Sequence, residues 1–274
     1  MKLRSLCGVV LLLALSGCSS FFSHQAQSDT SSSSLLSFLY PNHERPTVTT
    51  ELPLIKLPAT VGIAFIPSND WRDQGVSVAE QMQLLSQVKN QFERYDYIGK
   101  IEIIPSTYLQ RGRGFQTLEE LGQMYDVDIM ALVSYNQVRQ STQGKSSLLY
   151  WTIVGMYTIP GNENSVNTFV DTAVFDLATH KLLFGANGVS FLSERSTAVG
   201  VESTLNDQSK KGYHLAMDDM AHNLNRELDD FKQRVKQDRV AQVENRAGYS
   251  GGALGGLALL LLPLAWCRRR ALSR

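Results

Sequence analysis

The period of the apolar positions changes several times along the chain, and each change marks an element. Val61-Gly62-Ile63-Ala64-Phe65-Ile66-Pro67 is a continuous apolar run that stops at proline, as a strand buried on both faces does. The spacing then shifts to that of a helix, with Met82, Leu85, Val88 and Phe92 on one face and Ser77 and Glu80 forming a capping box ahead of them. Residues 98–105 read as a second strand. Thr117 with Glu120 predicts the cap of a shorter helix through Leu118, Leu121 and Tyr125, leading to a strand over 128–138. Residues 148–159 and 168–177 are β-rich, and the second run joins 182–191 through Ala178-Thr179-His180-Lys181, a hairpin signal. A final helix over 209–243 puts Tyr213, Met217, Met220, Leu224, Leu228, Phe231 and Val235 on one stripe, with a polar stalk beyond. The expected fold is a single mixed-sheet α/β domain over 60–245, in the order β-α-β-α-β-β-β-β-α with right-handed crossovers.

The flanks follow other patterns. Residues 18–59 are rich in serine and proline, including Ser31–Ser34 and Pro41, Pro46, Pro53 and Pro58, and predict a disordered tether. Within it, residues 35–40 form an apolar island expected to pack back on the domain. At the other end, residues 253–267 predict a transmembrane helix. Ala253 to Trp266 is apolar or glycine, and those fourteen residues reach about 21 Å at ~1.5 Å each, short of the ~30 Å hydrocarbon core. Arg268, Arg269 and Arg270 follow as a cytoplasmic clamp, which places residues 18–250 on the far side of the inner membrane.

Charge and cysteine usage narrow the function classes. The chain carries 26 basic and 26 acidic residues. Removal of both ends takes Lys2, Arg4, Arg268, Arg269, Arg270 and Arg274 and no acid, so 26 less six basic residues face 26 acidic ones, a net charge of −6. That balance argues against nucleic acid, whose binding needs a basic footprint. The three cysteines are Cys7, Cys18 and Cys267. None lies between 19 and 266, which excludes a disulfide, a thiol nucleophile and a cysteine zinc site from the domain.

No catalytic constellation is legible. Gly144-Lys145-Ser146 ends like a phosphate loop, but Arg139 stands where its first glycine belongs, so Gly144 reads as a hairpin turn. His24, His43, His180, His214 and His222 have no metal-ligand spacing, and Asp218-Asp219 and Asp229-Asp230 read as solvated faces. Arg111-Gly112-Arg113-Gly114 is a basic loop that reads as an exposed turn. No catalytic residue, metal or cofactor is assigned.

Both ends carry maturation signals. Lys2 and Arg4 precede an apolar stretch over 6–13, and Leu15-Ser16-Gly17-Cys18 resembles the bacterial lipobox. The resemblance implies a signal peptide over 1–17, cleavage between Gly17 and Cys18, and acylation of Cys18 by the lipoprotein maturation and sorting machinery. Several acyl chains hold a protein on a membrane better than the single chain that is only marginally bound. Ser19 follows, where lipoprotein families retained in the inner membrane have Asp, which by analogy addresses the protein to the outer membrane.

Ser250-Gly251-Gly252, the apolar span and the arginine cluster together resemble the GlyGly-CTERM sorting tail over 250–274. That family implies cleavage near Ser250, Gly251 and Gly252 by rhombosortase, a rhomboid-type intramembrane protease. A glycine-rich, short span is easily unwound for such an enzyme. The chain as a whole looks like a rhombotarget lipoprotein. Its middle domain is similar in topology alone to curli-secretion-channel lipoproteins and the amino-terminal domain of TolB-type proteins, a likeness that concerns fold and not function.

The expected role is a non-enzymatic binding or assembly module at the outer membrane or cell surface, with an unknown surface or periplasmic protein partner. An envelope hydrolase with a scattered site, or an uncut tether between two membranes, is the alternative. A span in the inner membrane is incompatible with lipid-directed export, so the cut licenses export. In a strain without the protease, membrane fractionation should find the chain held in the inner membrane, and arrival of the intact chain at the outer membrane would defeat that reading.

Overall fold

A computed structural model describes residues 27–41, 50–68, 75–110, 114–144 and 153–249. Its elements are β1 (Gln27–Ser32), α1 (Leu35–Leu39), β2 (Leu54–Leu57), β3 (Ala59–Phe65), α2 (Val78–Phe92), β4 (Ile98–Ile103), a 3-10 turn (Ser106–Tyr108), α3 (Phe115–Tyr125), β5 (Ile129–Gln143), α4 (Ile153–Thr158), β6 (Asn162–Asp176), β7 (Leu182–Ser196), α5 (Val201–Asp238) and β8 (Gln242–Asn245). The architecture is mixed α/β. The main sheet has the order β4-β3-β5-β6-β7, with β1 also paired to β5, and β2 and β8 form a separate parallel pair.

Two β-α-β connections are present, one through α2 and one through α3. β3 pairs in parallel with β4 on one side, Val61 opposite Ile101, and with β5 on the other, Val61 opposite Ile129. Parallel neighbours need a covering connection, and α2 and α3 supply it. β5, β6 and β7 are antiparallel. Between β5 and β6, Leu177 N–H donates to Asp128 O (3.1 Å) and Gln137 Nε2 to Thr168 Oγ1 (2.7 Å). β7 follows β6 through a short turn in which Asp176 accepts from the N–H (2.8 Å) and hydroxyl (2.5 Å) of Thr179. His180 takes a left-handed φ of 59° in the same turn.

The chain divides into two compact units. The larger comprises Ser31–Gln137, Thr168–Ser190 and the chain from Tyr213. Its central strands β3, β5 and β6 alternate. Ile63, Phe65, Ala131, Val133, Val170 and Val174 join one cluster with α2 and α5. Ala64, Ile66, Met130, Leu132, Ala173 and Phe175 join a second with α1 and α3. Period-2 residues thus feed two cores, one on each face of the sheet. In the smaller unit, which includes Val138–Asn167 and Phe191–Gly212, Arg139 bonds Glu202 (2.8 Å) and Asn206 (2.9 Å), and Asn164 bonds Ser196 (2.8 Å).

Several expectations meet the structure directly. Ser77 caps α2 and accepts from Glu80 N–H at 3.3 Å, as the capping box predicts. The island at 35–40 packs inward, with Phe38 and Leu39 buried.

Others need correction. Residues 27–32, 35–39 and 54–57 are ordered elements within the stretch expected to be a disordered tether. Ser33 shows why composition misled: its N–H donates to Tyr135 O (2.8 Å) and its hydroxyl accepts from Tyr135 N–H (3.0 Å), so polar residues join the sheet by backbone pairing. The Thr117–Glu120 box does not cap α3. The helix starts earlier, from Gly114 at φ 62°, where a Cβ would lie 2.2 Å from Leu39 O, so only glycine can make that turn. The strand expected over 148–159 gives way to α4 at 153–158, because β-branched content reports fit to a pleated surface more than a backbone preference. Residues 145–152 lie outside the described residues. α5 runs from 201 to 238 instead of 209 to 243, and no polar stalk follows: Arg239 turns the chain at φ 53° and β8 returns to pair with β2. Among the described residues no helix is long and apolar enough to cross a membrane, and the span expected at 253–267 lies outside them.

β7 is an edge strand, and α5 closes part of that edge. Val189 N–H donates to Asp219 (3.0 Å), Asn223 donates to Asn187 O (2.7 Å), and Gly188 between them lets the helix backbone approach. A Cβ at 188 would lie 2.1 Å from Ala216 O and 2.3 Å from Met220 N. Gly188→Val should therefore lower the stability by ~1–3 kcal/mol or more, read as a reduced urea midpoint with unchanged slope.

Candidate functional site

The lipidation and sorting residues expected from sequence, Gly17, Cys18, Ser250, Gly251, Gly252, Arg268, Arg269 and Arg270, all lie outside the described residues. The site that the larger unit does build is an apolar cavity of about 470 Å³ on the α2/α5 side of the sheet. Its floor is β3 and β5 with Val61, Ile63, Ile129 and Ala131. Its walls are Val88 and Phe92 of α2 and Leu224, Leu228 and Phe231 of α5. Ile55, Leu57 and Val243, on the β2–β8 pair, close one side.

The cavity follows from side-chain size. Ala59 and Ala131 place single methyl groups on the floor beneath α5, where the other floor positions carry Val or Ile. The long helix spans the gap without filling it. Protein interiors are normally close-packed, and an apolar wall with nothing against it forfeits the dispersion contacts that a filled core would make. Water gains little from a wall without polar partners. The volume lies within the ~300–1,000 Å³ typical of small-molecule sites.

The wall itself is carbon. Lys89, Lys232, Lys236 and Tyr97 reach it with their stems and ring, so the charged ends that stand beside it are all basic, and no Asp or Glu is among its residues. Lys89 pairs outward with Glu93 (3.3 Å). Lys232 is held on several sides: Asp229 at 2.7 Å, the Tyr97 hydroxyl at 3.2 Å, and the Tyr97 ring face with its centroid 4.7 Å away. Tyr97 in turn stacks on Tyr95 at 5.2 Å, and Tyr95 donates to Asn225 of α5 at 2.5 Å. Burial by itself would lower the Lys232 pKa, but the hydrogen bonds to Asp229 and Tyr97 outweigh it and hold the ammonium above its ordinary value. Burial keeps the Tyr97 phenol above its ordinary range, only partly offset by Lys232.

Closure of the cavity depends on the chain's last described turn. Arg246 N–H donates to Leu57 O (2.7 Å), and its guanidinium bonds Asp128 and Thr60. These contacts fasten β8 beside β2 over the end of β3.

The sequence candidates for chemistry are dispersed. His180 stacks on Phe115 at 4.4 Å and contacts Glu119 at 2.5 Å in the β6–β7 turn. His222 and Asp218 border a separate polar depression with Arg94 and Asn225. Asp219 serves β7, Asp229 serves Lys232, and Gly144 pairs with Gly161 at the end of the β5–β6 ladder. Lys145, Ser146, Arg111, Gly112 and Arg113 lie outside the described residues. Among the described residues no group of three His, Cys, Asp or Glu side chains could hold a metal ion. The cavity was not anticipated from sequence. Its one trace there is the placement of Lys89, Lys232 and Lys236 immediately after Val88, Phe231 and Val235, which on a helix is also how a lysine stem covers apolar surface.

No family model and no curated protein matches the chain. Among solved structures, it is similar to a PelC dodecamer from Paraburkholderia phytofirmans (8% identity, 72% of this chain and 99% of that chain, TM-score 0.29). It is also similar to a neuraminyllactose-binding hemagglutinin homolog from Helicobacter pylori (7%, 73% and 97%, TM-score 0.35) and to lipoprotein GNA1162 from Neisseria meningitidis (10%, 56% and 97%, TM-score 0.26). At these scores the likenesses establish neither a shared fold nor a shared activity.

The Lys232–Tyr97 pair has a pH signature. A lysine whose pKa is raised on folding contributes fully below the ordinary value of ~10.4, and its contribution is lost as pH rises through the folded value. A phenol kept neutral by burial acts in the same direction. Lys232→Met should therefore lower the urea midpoint at pH 8, and the gap to the wild type should close as the pH rises through and beyond the ordinary lysine range. The gap stays well under ~1 kcal/mol because Lys232 is 39% exposed.

Proposed function

We propose that this chain is an exported bacterial lipoprotein, acylated at Cys18 and trimmed within Ser250, Gly251 and Gly252 by a rhomboid-type protease. Its α/β domain is a non-enzymatic binding module at the outer membrane or cell surface. The observation that supports the binding role is the apolar cavity with a cationic rim, built from a sheet face left unfilled at Ala59 and Ala131. An enzyme of the hydrolase class works through polar groups converging on a reacting atom, whereas this wall offers an apolar ligand surface with charge confined to Lys89, Lys232 and Lys236.

The order of elements supports the maturation reading as well. β8 ends at Asn245, ahead of Ser250, Gly251 and Gly252 in the sequence. A cut there removes the apolar span and the arginine cluster without touching β8 or the Arg246–Asp128 pair.

The decisive measurement is the mass of the carboxyl-terminal peptide beyond Arg246, taken from protein in native membranes. A species ending within 250–252 is expected. A peptide intact through Trp266 would leave a chain anchored at both ends and would bring the tether between two membranes forward instead.

A further inference from the structure

We infer that the cavity holds one long-chain fatty acid, its acyl chain against β3, β5 and α5 and its carboxylate between Lys232 Nζ and Tyr97 Oη. This deepens the binding role proposed above and rests on it. The wall dictates the first half of the assignment. Ile63, Ala131, Leu224, Leu228 and Phe231 give a ligand nothing to bond except carbon, so the buried part of the ligand is a hydrocarbon.

The rim dictates the second half. The Lys232 ammonium donates to the Tyr97 hydroxyl oxygen at 3.2 Å, which leaves the Tyr97 proton and a further ammonium proton free for an outside acceptor. Two donors so close together suit the two oxygens of a single carboxylate. Lys236 adds charge one turn along α5, and among the described residues it has no ion-pair partner. Asp229 is the internal competitor for Lys232, but it is 58% exposed and turns back to water when the carboxylate arrives. A larger phosphodiester head finds only one such paired grip, and a neutral head forfeits the ammonium altogether.

The test uses the full-length protein in a non-ionic detergent, titrated in parallel with palmitate, hexadecanol and palmitoyl-lysophosphatidylglycerol and read by native mass spectrometry. One palmitate per chain is expected, at a half-saturating concentration about tenfold below that of hexadecanol, the scale of one charge-assisted hydrogen bond. Lys232→Met and Tyr97→Phe should each erase most of that preference while leaving hexadecanol unchanged. Ala131→Phe should remove all three adducts. Its urea midpoint certifies that it is folded, and the two rim variants carry the test independently of it.

Equal binding of palmitate and hexadecanol, tighter binding of the lysophospholipid, or palmitate adducts that persist in folded Ala131→Phe would overturn the assignment. Failure here is separable from failure of the maturation reading. A chain trimmed at 250–252 that ignores palmitate loses only the fatty acid, and an untrimmed chain that binds palmitate loses only the sorting step.

Discussion

The pairing of β3 with β5 sets the terms for everything around it. Val61 faces Ile129 and Phe65 faces Val133 in parallel register, and both strands are flanked on each side, so both of their faces must be covered. Alternate residues then point into separate cores. Ile63, Phe65 and Ala131 require α2 and α5 above them, while Ala64, Ile66 and Met130 require α1 and α3 below. A shift of one residue in this register would exchange the two sets and bury the wrong sizes under each helix. Gly62 shows how tight the lower face is: a Cβ there would meet Ile104 and Met130 at 2.9 Å.

The two faces are consequently unequal. The lower core is filled by large side chains, with Leu109, Leu118, Met130 and Leu132 almost wholly buried. The upper core is closed at one end, where Gly188 admits α5 to backbone contact and Thr172 meets Met220 at 3.1 Å. At the other end it opens into the cavity over Ala59 and Ala131. One long helix therefore lies tight on β7 at residues 216–220 and stands away from the floor at 224–235. The β2–β8 pair, fastened by Arg246 to Asp128, borders that raised end with Ile55, Leu57 and Val243.

Legibility in the sequence tracks how local the cause is. The α2 cap at Ser77, the strand through 61–65, the hairpin at 178–181 and the buried stripe of α5 each rest on residues within a few positions of one another, and each was readable. β1, β2 and the helical form of the 35–40 island were not, because Ser33 holds its place through Tyr135, a hundred residues away, and Leu39 through Gly114. The α3 start misread Thr117 for the same reason: the requirement for Gly114 comes from the Leu39 carbonyl, which no local pattern contains. The cavity is the extreme case. It is the absence of volume where strands from three parts of the chain meet one helix, and two alanines in β-rich runs carry no local mark of it.

Lys232 illustrates how structure separates two readings that the sequence leaves equal. A lysine one residue past an apolar stripe ordinarily lays its stem along the surface and holds its ammonium in water, free to choose among rotamers. Lys232 is instead fixed by Asp229, by the Tyr97 hydroxyl and by two stacked tyrosine rings, the second of which is tied to α5 through Asn225. Fixing a long side chain costs conformational entropy, on the order of 1.5–2 kcal/mol for lysine, and an exposed ion pair returns only ~0–1 kcal/mol. Stability alone is therefore a weak reason for so many constraints on one half-exposed ammonium. A cation held ready beside an apolar cavity has a better reason, because a rim group ordered in advance is one that an incoming anion does not have to order itself.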